Sequence, residues 1–265
     1  MKPSSRASAF TLTEVMVAST IIGFVLIGVL PFFVTNSQLQ FVSEQKLLVN
    51  ADVRAFTNGM IQDVESSSCF VLYQSFYAQT MSAGNAVSRD FNGDGAVNVA
   101  DRMQSGQSGD FLVLLYYQDP FYDTRFYDSD PNNQPTLGSS TVISRVVAYW
   151  LAPNRDYTNE TALYRLDSDQ FKTIGSSWTT PWGATFPATL GSGVTVESLL
   201  PAASQINASS SAFATVVLNN LQGLSQNLNF VNYQGRSVLV RSRILHGNQA
   251  KRVTNTYNFT VSPRG

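Results

Sequence analysis

From Phe10 to Val34 the chain runs for 25 residues with Glu14 as its only ionisable side chain. At a helical rise of ~1.5 Å per residue such a run covers roughly 37 Å, enough to cross a bilayer. Lys2 and Arg6 precede it and belong on the cytoplasmic side, which sends the bulk of the chain to the far side of the membrane. Ala7-Ser8-Ala9 satisfies the small-residue rule of a secretory peptidase. Such a site follows the apolar segment, however, and here the small residues come before it, so a cut after Ala9 leaves the helix on the mature chain.

A carboxylate inside such a helix costs roughly 2.5 to 3.5 kcal/mol on insertion scales and calls for a cation or a polar setting. The nearest cation for Glu14 is the amino group that a cut after Ala9 creates on Phe10, supplied in an assembly by a neighbouring subunit. The alternative is that Glu14 sits shallow enough to be hydrated. Pro31 lacks an amide proton and is expected to kink or locally melt the helix.

The run Ala9-Phe10-Thr11-Leu12-Thr13-Glu14-Val15-Met16-Val17-Ala18 resembles the prepilin cleavage and methylation motif of type IV pilins and type II secretion pseudopilins. Pro31 also falls where pilins often carry a kinking proline. The resemblance covers about the first forty residues. It implies cleavage between Ala9 and Phe10 by a prepilin peptidase, N-methylation of Phe10, and a part for Glu14 in docking an incoming subunit. The partners it implies are other pilin or pseudopilin subunits, the prepilin peptidase, the pilus assembly machinery and the membrane. Ala9 stands where the family usually has Gly, and Thr13 where it usually has an aliphatic residue.

Past the membrane segment Val49, Val53, Phe56, Met60 and Val64 recur at spacings of three and four, the mark of an amphipathic helix that packs on its own sheet. The division expected is a leader at 1–9, a transmembrane helix at 10–34, its amphipathic continuation at 35–66 and a β-rich soluble domain at 67–265. Strands are expected at 70–78, 110–118, 142–152, 161–167, 228–233 and 236–245. A last strand follows, with Val253, Tyr257, Phe259 and Val261 on one face and Thr254, Thr256, Asn258 and Thr260 on the other. His246-Gly247-Asn248-Gln249 reads as the hairpin turn before it. Residues 127–140 and 167–211, rich in Ser, Gly, Pro and Asn, read as surface loops that face outward in a filament. The fold class is therefore α+β, a long helix packed on antiparallel sheet in the pilin-like manner.

A second motif is Asp90-Phe91-Asn92-Gly93-Asp94-Gly95-Ala96-Val97-Asn98-Val99-Ala100-Asp101. Oxygen-bearing side chains at loop positions one, three, five, nine and twelve, with Gly at six, match a calcium-wrapping loop. The candidate ligands are Asp90, Asn92, Asp94, the carbonyl of Ala96, Asn98 and Asp101. The loop resembles that of dockerin repeats, but one copy is present where dockerins usually carry two, which argues against a cohesin-binding module. The expected role is to order the 79–109 connection.

Composition narrows the functions. Cys69 and His246 are the only residues of their types, which excludes an internal disulfide, a Cys/His zinc cage and any two-imidazole site. Formal charge is −1 with the Lys and Arg scattered, so nucleic acid is not expected as a main partner. Cys69 reads as a buried small residue or an exposed thiol, and His246 as an exposed turn residue. The aromatic 116–127 segment reads as core in preference to a ligand surface. The expectation is a structural, non-enzymatic subunit of a type IV pilus or secretion pseudopilus, a minor subunit rather than a major one. It resides in the cytoplasmic membrane by a single span before joining an extracellular or periplasmic filament. The alternative is an adhesin or ligand-binding module displayed on the same anchor.

Overall fold

The computed structural model describes residues 11–74, 98–117, 141–154, 161–191, 193–201, 213–219, 221–224, 229–246 and 253–264. The chain divides into two units, residues 1–48 and 49–265. A helix, α1 (Leu12–Ser66), begins in the first and ends in the second. Its residues stay helical through Pro31, so the local melting anticipated there is absent. A proline removes one backbone donor, and the bonded turns on either side carry the helix across it. In the first unit apolar side chains stand exposed all round the helix, among them Val15, Ile22, Leu26, Phe33 and Leu47. A surface of that kind needs cover from lipid or other chains.

In the second unit α1 becomes one-sided. Val49, Phe56, Met60 and Val64 are buried and Val53 is half-buried, as the three-and-four spacing predicts. At the end of α1 the Ser66 hydroxyl donates back to the Gln62 carbonyl at 2.6 Å and the Ser67 hydroxyl to the Val64 carbonyl at 2.7 Å, local side-chain bonds that compete with further helix. After Ser67 and Ser68 the chain enters β1 (Cys69–Tyr73). The short β2 (Ser108–Gly109) precedes β3 (Phe111–Tyr117), followed by β4 (Val142–Pro153) and β5 (Thr161–Asp167). Next come β6 (Trp178–Thr179), β7 (Thr185–Phe186) and β8 (Ala188–Thr189). The last strands are β9 (Thr215–Asn219), β10 (Leu221–Gly223), β11 (Phe230–Tyr233), β12 (Ser237–His246) and β13 (Val253–Val261).

The first sheet has the order β1-β3-β4-β5-β9, antiparallel throughout, with β8 against the start of β4. In the second sheet β12 carries β13 on one edge and both β10 and β11 on the other, with β2 beyond β11. A two-stranded ribbon joins β6 to β7.

Both faces of the first sheet are buried, which sets it apart from the common antiparallel sheet with one wet side. One face, with Phe70, Leu72, Leu112, Leu114, Val147, Tyr149 and Leu163, packs on the α1 stripe and on Phe230, Val238, Val240 and Ile244 of the second sheet. The other, with Val71, Tyr73, Phe111, Val113, Trp150 and Tyr164, packs on Trp178, Phe186, Leu190, Val196, Leu199 and Leu200. The 167–211 stretch, expected to be an outward surface loop, is therefore corrected over its described part: its apolar residues form the second cover of the sheet. Its Ser, Gly and Pro content reflects tight turns between short strands, which composition alone does not separate from open loop.

Other boundaries shift by small amounts. The ladder of β12 with β13 continues to His246 opposite Val253, so His246, expected in a turn, closes a strand, while 247–249 of the expected turn lie outside the described residues. The strand at 70–78 is seen as Cys69–Tyr73 and that at 110–118 as Phe111–Tyr117, with 75–78 and 118 outside the described residues. Exposed Thr256, Asn258 and Thr260 alternate with half-buried Tyr257 and Phe259 and buried Val261, as expected for β13. Cys69 is fully buried, and burial, against its hydrogen bond with the Tyr117 hydroxyl, pushes the thiol up to about 12. It is the inert, space-filling cysteine of the two alternatives.

Gly109 lies where the chain between the sheets passes tightly over β1. A Cβ there would fall 2.1 Å from the Tyr73 carbonyl oxygen and 2.9 Å from Leu72 Cγ. Backbone, not a flexible side chain, blocks the space. Gly109→Ala is expected to lower unfolding stability by about 3 kcal/mol, measured by denaturant titration, because the strand crossing has to open; an unchanged midpoint would contradict this packing.

Candidate functional site

The start of α1 is a reciprocal cap. Thr11 is the residue before the first helical turn, and its backbone N–H donates to Glu14 Oε2 at 2.9 Å. The Thr11 hydroxyl donates to the same oxygen, also at 2.9 Å, and the Glu14 N–H lies 3.4 Å from Thr11 Oγ1. Thr-x-x-Glu is the capping-box spacing, and it serves donors that a helix start otherwise leaves unpaired. The positive end of the helix dipole adds to the attraction for the carboxylate. The one acid of the apolar run is thus held at the helix entrance, with two donors of its own chain upon it. Ser19 and Thr20 are likewise satisfied, their hydroxyls donating to the Met16 carbonyl at 2.9 and 2.8 Å. Ala9 and Phe10, the expected processing residues, lie outside the described residues.

Of the expected calcium ligands, Asp90, Asn92, Asp94 and Ala96 lie outside the described residues. Asn98 caps, and Asp101 ends, a single 3-10 turn, Val99–Asp101. Asn98 Oδ1 accepts from the Ala100 N–H at 2.8 Å and Asp101 Oδ2 from the Asn98 N–H at 2.7 Å. The loop's last third is thereby folded with both side-chain oxygens on one turn. Among the described residues no three acidic, His or Cys side chains converge on a metal position.

A second polar group was not anticipated. Asp63 sits on the buried side of α1 and accepts from the Tyr149 hydroxyl at 2.5 Å and from Arg165 Nε and Nη2 at 2.7 and 3.1 Å. Arg165 reaches on to Asp167 at 2.9 Å, and Arg145 holds Asp167 with two bonds of 2.9 and 2.6 Å. The Tyr116 hydroxyl donates to the Asp63 carbonyl at 2.8 Å, so Tyr116 is core, as expected. The network fixes the rotation of α1 on the sheet, because apolar contacts slide and a two-pronged Arg–carboxylate pair does not. The signal was present in the sequence: Asp63 lies three residues after Met60, on the apolar stripe itself. A comparable knot ties the second cover to β1, where buried Glu197 accepts from Arg102 Nε at 2.8 Å and from the Tyr73 hydroxyl at 2.9 Å.

Burial pushes the Asp167 carboxyl up, but the hydrogen bond and charge of Arg145 and the charge of Arg165 more than reverse this, leaving it below the usual range. Glu197 is held low in the same way, burial being outweighed by the charge and hydrogen bond of Arg102. Each depressed carboxyl contributes stability that is fully present above its unfolded value and is lost as pH falls toward its folded one. The melting temperature is expected to hold near neutrality and to fall as pH drops below about 4. Asp167→Asn with Glu197→Gln should flatten that descent, and an unaltered acid profile in the double variant would contradict it.

Residues 4–30 match the family model described as the prokaryotic N-terminal methylation motif. No curated protein and no solved structure matches the chain. The chain carries the prepilin-type methylation motif at the head of a pilin-like α+β fold, one long apolar helix packed against antiparallel sheets.

Proposed function

We propose that the chain is a structural, minor subunit of a type IV pilus or a type II secretion pseudopilus. The observation that carries this is the methylation-motif match at residues 4–30, opening a helix long and apolar enough to cross a membrane. That helix continues into a stripe buried in a β domain. In this reading the subunit waits in the cytoplasmic membrane with its β domain outside. Prepilin peptidase cuts between Ala9 and Phe10, and the new Phe10 amine is methylated. An assembly machine then extracts the subunit into a filament whose core is made of these helices.

The capped helix start gives Glu14 a defined task. Its carboxylate is held one turn from residue 10, where the Thr11 donors stabilise the charge until the amine of a neighbour docks. Extraction into a helical core covers the apolar surface again, and that burial holds the filament together. Glu14→Ala is expected to leave the amount in the membrane unchanged and to cut the amount recovered in sheared filaments roughly tenfold or more. Normal incorporation of the variant would refute the docking role.

We further propose that residues 90–101 bind calcium. The spacing of oxygen donors supports this. The ion would order the 79–109 connection without a disulfide. Limited proteolysis should then show faster cleavage within 79–109 in chelator than in calcium, with the difference lost in Asp90→Ala/Asp94→Ala. Equal cleavage of the unaltered chain in both conditions would oppose the assignment.

A further inference from the structure

A cleft of about 550 Å³ opens where the start of β4 meets the second cover of the first sheet, a size usual for small-molecule sites. Strand register builds one wall. Tyr116 of β3 pairs with Arg145 of β4, so the two side chains share a face and the Arg145 guanidinium lies over the Tyr116 ring, 4.7 Å from its centroid. The two bonds to Asp167 hold it there, using two of the five N–H donors of the guanidinium.

The chain after β5 builds a second wall. Asp167 caps a 3-10 turn, Ser168–Phe171, by accepting from the Asp169 N–H at 3.0 Å, and the Lys172 N–H closes the turn on the Asp169 carbonyl, also at 3.0 Å. Residues three apart eclipse in such a turn, so Asp169 and Lys172 leave it together, and both line the cleft. The Lys172 ammonium stands over the Trp178 ring, 5.0 Å from its centroid. That ring is fixed in turn by stacking on Phe186 and by its N–H, which donates to the Ser168 carbonyl at 3.0 Å.

Much of the polar capacity of these walls is unspent among the described residues. The exposed Lys172 side chain makes no ion pair or hydrogen bond there, its charge answered by the Trp178 ring alone. Asp169 Oδ1 accepts no hydrogen bond, and Oδ2 lies 3.8 Å from Arg145 Nε, beyond bonding distance. Exposed Ser176 makes no hydrogen bond, and Ser144, whose hydroxyl donates to the Tyr116 carbonyl at 3.0 Å, keeps its lone pairs. Because aromatic rings and Asp167 already hold the two cations, little ordering is left for a ligand to impose.

The unspent groups select the ligand. An apolar molecule would leave them unsatisfied, at a cost. A bare anion would use the cations but face the Asp169 carboxylate, and a neutral polyol would use Asp169 and the serines but bring no counter-charge to Lys172. A sugar that carries a carboxylate answers both sets, since each of its hydroxyls donates and accepts. We propose that this cleft binds a small acidic sugar, with the sugar carboxylate on Lys172 and Arg145 and its hydroxyls on Asp169, Ser144 and Ser176. Trp178 and Pro187 supply apolar wall for the C–H face of the ring. The inference concerns the β domain alone and stands apart from the filament reading.

The test is titration calorimetry on the purified full-length chain in detergent, with digalacturonate, cellobiose, acetate and inorganic phosphate as probes. Digalacturonate is expected to bind saturably and about tenfold or more tightly than the other three. Lys172→Ala should weaken it about tenfold, Lys172→Arg should keep most of the affinity, and Arg241→Ala, exposed on β12 outside the cleft, should change nothing. Unchanged protease resistance shows that the Lys172→Ala chain is folded. Equal binding of cellobiose would remove the acidic requirement, and acetate or phosphate bound as tightly would reduce the cleft to a simple anion site; either overturns the inference. So does saturable binding that Lys172→Ala leaves intact or that Arg241→Ala weakens equally, and so does no saturable binding at all.

Discussion

The domain depends on Phe56. Its ring meets Tyr149 of the first sheet at 6.4 Å between centroids, and Tyr257 and Phe259 of the second at 6.2 Å each, all edge-on. Helix and both sheets therefore share one contact, and edge-to-face pairs of this kind add to what burial alone provides. The stripe that places Phe56 is the continuation of the same helix that is apolar all round in its first half. One element serves two environments, and the change from all-round to one-sided apolarity marks where the β domain begins. Removing the ring would loosen three layers at once.

Three acids among the described residues are handled by the same logic. Glu14 is met by the donors of its own helix start, Asp63 by Arg165 and Tyr149, and Glu197 by Arg102 and Tyr73. Each of these three carboxylates receives at least two hydrogen bonds, because a desolvated carboxylate without them is costly. Buried pairs of this type fix geometry more than they add stability. Asp63 sets the rotation of the helix, and Glu197 pins the second cover to the edge of the first sheet. In the sequence the acids are confined to the first 197 residues.

Much of this was legible in the sequence, for identifiable reasons. The helix, its end at Ser66 and the buried stripe follow from a 3.6-residue period sustained over five positions, and β13 from a strict alternation. The second cover at 168–200 was not legible: its strands are two residues long, and Trp178, Phe186 and Leu199 are isolated among turn residues with no period to read. β9 and β10 were missed as well, being five and three residues long and lying in a Ser- and Asn-rich region. At the candidate site Glu14 stood out because a charge in an apolar run is conspicuous. Its Thr11 partners, three residues back, were readable as a capping box. Asp63 was visible on the stripe, but Arg145, Arg165 and Asp167 come from 80 to over 100 residues later, and only strand register brings them to it.

The most direct test of the central claim is the intact mass of the protein recovered from membrane and sheared-filament fractions of its native host. The account predicts a chain that begins at N-methylated Phe10 and is present in the filaments. A chain that retains Met1, or that begins beyond the apolar helix, would contradict it and leave a membrane-anchored or secreted β domain.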